Sequence, residues 1–481
     1  MTGSAHSAFQ IAYPQPANNH SRYARSRYGM PFVLACLGLT LCLTASDNLL
    51  VSSGIPYNSP QGAFIFKLHP GTYLIALGFT LLILRGNPWR QLSYLSGKAA
   101  YPVLLGGIVL GCLLYMLIRF GAAGNAFFID TLLAPALLAV ILLEAPLESQ
   151  RLVFWMALGL LMLNALLGIG EALLEQRLVP YLAGDQPIIE DLFRSTALGG
   201  HPLSNSLRTA VLIMACLILP GFLSVPLIFL LLIGLLAFGS RAALTFSSLF
   251  LGGWCVYYFC KGIIRRTFDI RLIFSILIIG SVLTAFMIAL TLSLGLGERI
   301  FQNFYWDVSA ESRLLVFKVF NYLKPEDWLL GMGPVRITEV LDQLKGTTSL
   351  TDLENFWLLL LMQLGLGGFL LLSTALLAMI FNLVWQAPPA LKLSAVIFLI
   401  LASTNNSLAT KSQSLSILVA ILIGGAAEAA SRIESKSPTR LMKYIFTGGR
   451  LTPAINRATN QSCYPTCCIA IRPYGTRHPV K

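Results

Sequence analysis

The sequence predicts an all-α, polytopic integral membrane protein with about twelve transmembrane helices and one large periplasmic loop carrying an interfacial helix. Three observations predict it. Of 481 residues, 56% are hydrophobic and only 11% are charged, against about 25% charged in soluble domains; mean hydropathy is +0.72. The apolar residues fall into runs near the roughly 20 residues that span a hydrocarbon core. The basic residues gather in alternate loops between those runs, which is a topology signal. The net charge of +13 is therefore not the clustered basic face of a nucleic-acid binder.

Residues 1–29 form a polar cytoplasmic tail. Arg22, Arg25 and Arg27 precede the first apolar run and hold the N-terminus inside. Leu43 makes a poor cleavage site before Ser46, so Met30–Ala45 reads as an uncleaved signal anchor. The transmembrane domain covers 30–430. Its spans are expected at 30–46, 65–84, 101–118, 126–144, 152–172, 206–222, 225–240, 242–260, 272–294, 354–385, 392–407 and 411–430. Gly365, Gly367 and Gly368 break the tenth. Arg85, Arg90, Lys98, Arg151, Lys261, Arg265, Arg266 and Arg271 then fall inside, as the rule requires. Residues 173–205, the Arg241 turn and 295–353 fall outside. The tail 431–481 is polar, cytoplasmic and expected to have little fixed structure.

Several outside residues could carry chemistry. Arg194 and His201 lie in RSTALGGHPLSNSLR, Arg208 begins a span, Arg241 sits between two spans, and Arg299 and Arg313 flank an aromatic stretch. An arginine at a membrane edge also serves as a snorkelling anchor. A ring of them makes an anion site, because guanidinium pairs with phosphate oxygens and stays charged. His201, between Gly200 and Pro202, reads either as a structural hydrogen bonder or as a site residue. The run from Arg313 to Leu323 is too short to span, and fits a helix on the outer leaflet or one packed on the bundle for support. Glu354 opens the next span, where burial suits a general base and helix polarity alone also suits an acid.

Other signals bound the function. No Walker motif, dinucleotide turn, HExxH or GxSxG occurs. No acidic metal pair stands out, so no metal and no cofactor are expected. Cys36, Cys42, Cys112, Cys216, Cys255 and Cys260 sit in or beside apolar runs as small hydrophobes. Cys463, Cys467 and Cys468 have no nearby histidine and no second paired motif for zinc.

Three segments carry a family resemblance. FGSRAALTFSSLFLGG, ESRLLVFKVFNYLKPEDWLLGMGP and ENFWLLLLMQLGLGGFLLL occur in that order. They resemble the O-antigen ligase and polymerase (Wzy/WaaL-like) superfamily of bacterial envelope enzymes, over about 194–385. GGHPLSN is similar to an exopolysaccharide subgroup of the VpsF type. The resemblance implies a metal-independent glycosyltransferase of the inner membrane. Its donor would be a polyprenyl-pyrophosphate-linked glycan and its acceptor a second glycan, in exopolysaccharide or O-antigen synthesis. A chain-length regulator is an implied partner. Arg241, Arg313, Glu354 and His201 would be catalytic, and Arg194, Arg208 and Arg299 would bind substrate. Where the ligases have His before Asn, this chain has Glu354 before Asn355, which favours polymerisation or another transfer over transfer to a lipid A core. The alternative is a transporter or flippase for a lipid-linked sugar or small anion.

Overall fold

The structure, a computed structural model, describes residues 29–58, 63–121, 124–183, 186–187, 193–264, 289, 315–347, 355–404, 408 and 411–436; of 183, 186–187, 345–347 and 434–436 it describes the backbone alone. Arg299, Arg313 and Glu354 lie outside the described residues, as do nearly all of the expected span 272–294 and the first part of the large loop.

The protein is a helical, multi-pass membrane protein. In chain order its helices are α1 (Met30–Thr44), α2 (Asp47–Ser52), α3 (Pro70–Ile83), α4 (Pro88–Lys98), α5 (Ala100–Phe120), α6 (Ala134–Glu144), α7 (Leu147–Leu174), α8 (Pro202–Cys216), α9 (Gly221–Phe238) and α10 (Arg241–Ile264). After the undescribed stretch come α11 (Pro325–Leu330), α12 (Pro334–Thr347), α13 (Phe356–Trp385), α14 (Pro389–Ser403) and α15 (Ser414–Lys436). Among the described residues six helices are long and apolar enough to cross a membrane: α5, α7, α9, α10, α13 and α15. Helices α1, α3 and α14 are apolar but shorter. Among the described residues the β structure is one antiparallel pair, Leu182–Ala183 with Gln186–Pro187. The end of α15, from Ala430, belongs to a second unit, Ala430–Lys481.

Helix starts follow local chemistry. Proline stands at the first turn of α1, α3, α4, α8, α11 and α14, where its missing N–H costs nothing. Asn87, His69 and His201 cap α4, α3 and α8 with side-chain acceptors. This explains a difference from expectation. The run 65–84 is not one helix: His69 and Pro70 restart it, leaving a 3-10 turn at Phe64–Lys67 and a 14-residue α3. The run 126–144 holds a π-helical stretch, Phe128–Leu133, ahead of α6.

The described part of the expected interfacial helix is a 3-10 turn, Val316–Tyr322. Val316 and Val319 are buried in a small core with Ile337 and Val340 of α12 and Leu358 and Met362 of α13. These side chains pack on protein instead of lipid, as a supporting element does.

In lipid, helices associate by close packing and not by hydrophobic drive. The crossing of α1 and α3 shows this: a Cβ on Gly38 would sit 2.7 Å from the Gly71 carbonyl oxygen. The kink in α13 shows it again. Gly331 (φ +70°) and Gly365 (φ +67°) press main chain against main chain, and a Cβ on Gly331 would lie 2.6 Å from the Gly365 nitrogen. The Met332 N–H donates to the Met362 carbonyl at 2.7 Å and fastens the junction.

Polar contacts collect at two ends of the bundle. One set includes Lys98 with Glu144 at 2.8 Å and Arg151 with Glu428 at 2.9 Å. The other joins the start of α8 and α15 with the end of α7 and the turns around Asn48, His69 and Asp130. Each set links helix ends that alternating passes bring to one side.

Candidate functional site

The second polar end is the candidate site, and two side chains of α7 build its frame. Glu171 is 3% exposed. Its Oε2 accepts from Ser195 Oγ (2.6 Å) and from the N–H groups of Thr196 (2.9 Å) and Ala197 (2.8 Å). Its Oε1 accepts from the Leu178 N–H at 2.7 Å. Such charge-assisted bonds offset the cost of burying a carboxylate. Asn164 Oδ1 accepts from the Leu198 N–H at 2.9 Å, and Asn205 Nδ2 donates to the Thr196 carbonyl at 2.5 Å. The Ser195 N–H reaches the Ala237 carbonyl at 3.1 Å. The loop is thereby pinned to the end of α9. Arg194 lies against Gly239, whose Cβ would sit 3.1 Å from Arg194 Cγ. Arg241 opens α10 two residues later.

His201 caps α8: its Nδ1 accepts the Leu203 N–H at 3.2 Å. The ring meets Tyr181 edge-on, with centroids 5.6 Å apart. Burial pushes its pKa down to about 4, and the charges of Arg194 and Arg208 push the same way. The imidazole is neutral at pH 7. With Nδ1 accepting, the neutral ring carries its proton on Nε2, which is therefore a donor.

Arg208 is 6% exposed. Its Nε donates to Ser414 Oγ at 3.3 Å, and Ser414 Oγ is 3.0 Å from Ser412 Oγ. Its Nη1 lies 3.0 Å from where a Cβ of Gly199 would be. Among the described residues neither Nη has a hydrogen-bond partner. Asp47 supplies opposing charge, and Asn48 Nδ2 anchors that turn to the Gly200 carbonyl at 2.7 Å. The hydroxyls of Thr209 and Ser416 and both amide atoms of Gln413 are buried without a partner; these residues neighbour Arg208 and Ser414 along α8 and the start of α15. Buried polar groups are nearly always satisfied. The unpaired Nη groups of Arg208 suit an anion with several oxygens.

Beside this lies a closed knot. Asp130, in the π-helical stretch, accepts from Tyr57 Oη (2.8 Å), Thr72 Oγ1 (2.8 Å) and the His69 N–H (3.1 Å). His69 is itself fixed: Nε2 donates to the Ala45 carbonyl at 2.7 Å and Nδ1 accepts the Gly71 N–H at 3.0 Å. Lys411 donates to the Tyr57 carbonyl and lies 3.9 Å over that ring. Burial pushes the Lys411 ammonium down to about 8; Lys67 adds to this, while Asp130 and Asp47 oppose it. The Ser412 N–H donates to Thr131 Oγ1 at 2.9 Å, which ties the knot to the arginine cluster.

Of the residues singled out by sequence, the structure gathers Arg194, His201, Arg208 and Arg241 at one end of the bundle. Arg299, Arg313 and Glu354 lie outside the described residues. Asp47, Asn48, Asp130, Glu171, Lys411 and Gln413 were missed. The signal for Asp130 and Glu171 was an acid inside or ending an apolar run, which is costly and therefore purposeful. Among the described residues no group of three or more His, Cys, Asp or Glu could hold a metal ion. The chain matches no protein-family model, no curated protein and no solved structure.

Proposed function

We propose that the protein is a polysaccharide polymerase or ligase of the bacterial inner membrane, with about twelve spans and both termini cytoplasmic. The loops 173–205 and 295–353 face the periplasm. The donor is a polyprenyl-pyrophosphate-linked glycan and the acceptor a second glycan, with a chain-length regulator as candidate partner. One observation carries the reading: the buried Arg208 guanidinium, held through Nε alone, beside Arg194 and His201. That arrangement suits a pyrophosphate.

In this reading the acceptor hydroxyl attacks the anomeric carbon and the bond from that carbon to the pyrophosphate breaks. The electron pair leaves on the pyrophosphate oxygen. Arg194, Arg208, Arg241, Arg299 and Arg313 offset the charge developing there, as preorganised donors do. His201 Nε2–H adds a neutral donor. Glu354 accepts the proton of the acceptor hydroxyl.

The expected result is that Arg241→Ala and Arg313→Ala each abolish long-chain polymer at normal protein levels. Wild-type polymer in both overturns the mechanism. A second reading, a transporter or flippase for a lipid-linked sugar or small anion, draws support from the buried charges Asp130, Glu171, Arg208 and Glu428. Proteoliposomes separate the two: new glycosidic bonds mark the polymerase, and translocation without bond formation marks the transporter.

A further inference from the structure

An apolar groove of about 750 Å³ runs between α5 and α13, under the end of α11. On α5 its lining extends from Val103 to Tyr115, and on α13 from Leu364 to Leu371. Gly107 and Gly111 line it, and a Cβ on either would meet nothing within 4 Å. Its rims are lipid-accessible: Leu104 is 50% and Leu371 55% exposed. From Val103 to Tyr115 is about 18 Å of helix. One leaflet of hydrocarbon is about 15 Å deep. The groove is therefore about as long as one leaflet is deep.

The mouth is polar. Arg119 stands one turn beyond Tyr115. Its Nη1 bonds the Tyr115 hydroxyl and the Leu330 carbonyl, at 2.5 and 2.6 Å. The Tyr115 hydroxyl also bonds that carbonyl. The guanidinium lies 5.0 Å over the Phe120 ring. These contacts hold the group in place at the membrane edge, and Nε and Nη2 have no protein acceptor among the described residues. A fixed, partly open guanidinium at the top of a hydrocarbon slot matches a phosphate joined to an acyl chain.

We propose that this groove holds one acyl chain of a membrane glycerophospholipid, with the lipid phosphate at Arg119. The site is distinct from the arginine layer and stands whether or not that layer handles glycans. By filling the gap between α5, α11 and α13, the lipid braces the junction of Gly331 with Gly365.

The test is photolabelling of the purified full-length protein in vesicles of phosphatidylethanolamine and phosphatidylglycerol. The probe is phosphatidylglycerol with a photoactivatable group at the end of one acyl chain. The label is expected on α5 peptides around Gly107. Gly111→Leu puts a side chain into the groove at a position where a Cβ meets nothing within 4 Å and should abolish that label, while the protein still elutes as a single monodisperse species. Arg119→Gln should reduce it about tenfold, the worth of a charge-assisted hydrogen bond, and Arg119→Lys should retain most of it. Label spread evenly over all lipid-facing helices, or unchanged in Gly111→Leu, overturns the proposal. So does loss of the label to added polyprenyl phosphate, which would assign the groove to a longer chain.

Discussion

Asp130 and Arg208 are both charged, both buried and both at the same end of the bundle, yet their surroundings differ in kind. Asp130 has a hydroxyl from Tyr57, a hydroxyl from Thr72 and a backbone N–H from His69. Arg208 has one bond, from Nε to Ser414, and its two Nη groups meet no partner among the described residues. Burying either ion is expensive. The carboxylate is answered from within the chain and so holds the fold together. The guanidinium is answered only in part, and under the proposed function its remaining donors serve the pyrophosphate.

Exchange of these two residues gives the sharpest break. Asp130→Ala strips the acceptor from three donors and should cost on the order of 4 kcal/mol, read as loss of monodisperse protein in detergent. Arg208→Gln should shift stability by about 1 kcal/mol or less while removing polymer from cells. Equal destabilisation by the two would erase the distinction.

The glycine junction belongs with Asp130. At φ +70° and ψ 176° Gly331 occupies a region essentially reserved for glycine. Gly331→Ala should cost about 2 to 3 kcal/mol, seen as a lower melting midpoint. A wild-type midpoint would mean that the main chains do not press together there.

His201 tests the open side more gently. The folded ring releases its proton at about 4, against 6.5 for the ordinary residue. Between those values the unfolded chain binds more protons, so stability rises with pH from 4 to 6.5 and is level above. His201→Gln should flatten that slope in thermal melts taken across the range. Smallest is Lys98→Ala at the opposite end. Its bridge to Glu144 is 38% and 25% exposed, and its loss should cost about 0.5 kcal/mol. A larger loss in chemical unfolding would give that end a share in stability that its exposure denies.

Helix positions were legible because apolar length and proline-marked starts are local. Helices α5, α7 and α10 begin and end within a few residues of the expected spans. Of Gly365, Gly367 and Gly368, expected as breaks, Gly365 alone leaves helical geometry, and its contact with Gly331 was not legible, since it joins distant parts of the chain. Where local signals competed, hydropathy misled. The apolar run at 65–84 concealed the cap at His69, and Lys411 was taken into a span that begins at Ser414. In the site, the arginines were visible as charges at apolar edges. Their surroundings were not, because Asp47 and Asn48 are ordinary polar residues until folding brings Arg208 and Gly200 beside them.

The Gly331–Gly365 contact has a consequence for how the sequence can drift. A joint between main chains is recognised by shape, so no compensating side chain can restore it once either partner gains a Cβ. Leu329 and Leu330 beside it are 66% and 49% exposed, so their side chains take no part in that joint. A saturating substitution library should therefore show two isolated columns of intolerance, far apart in the chain, that rise and fall together.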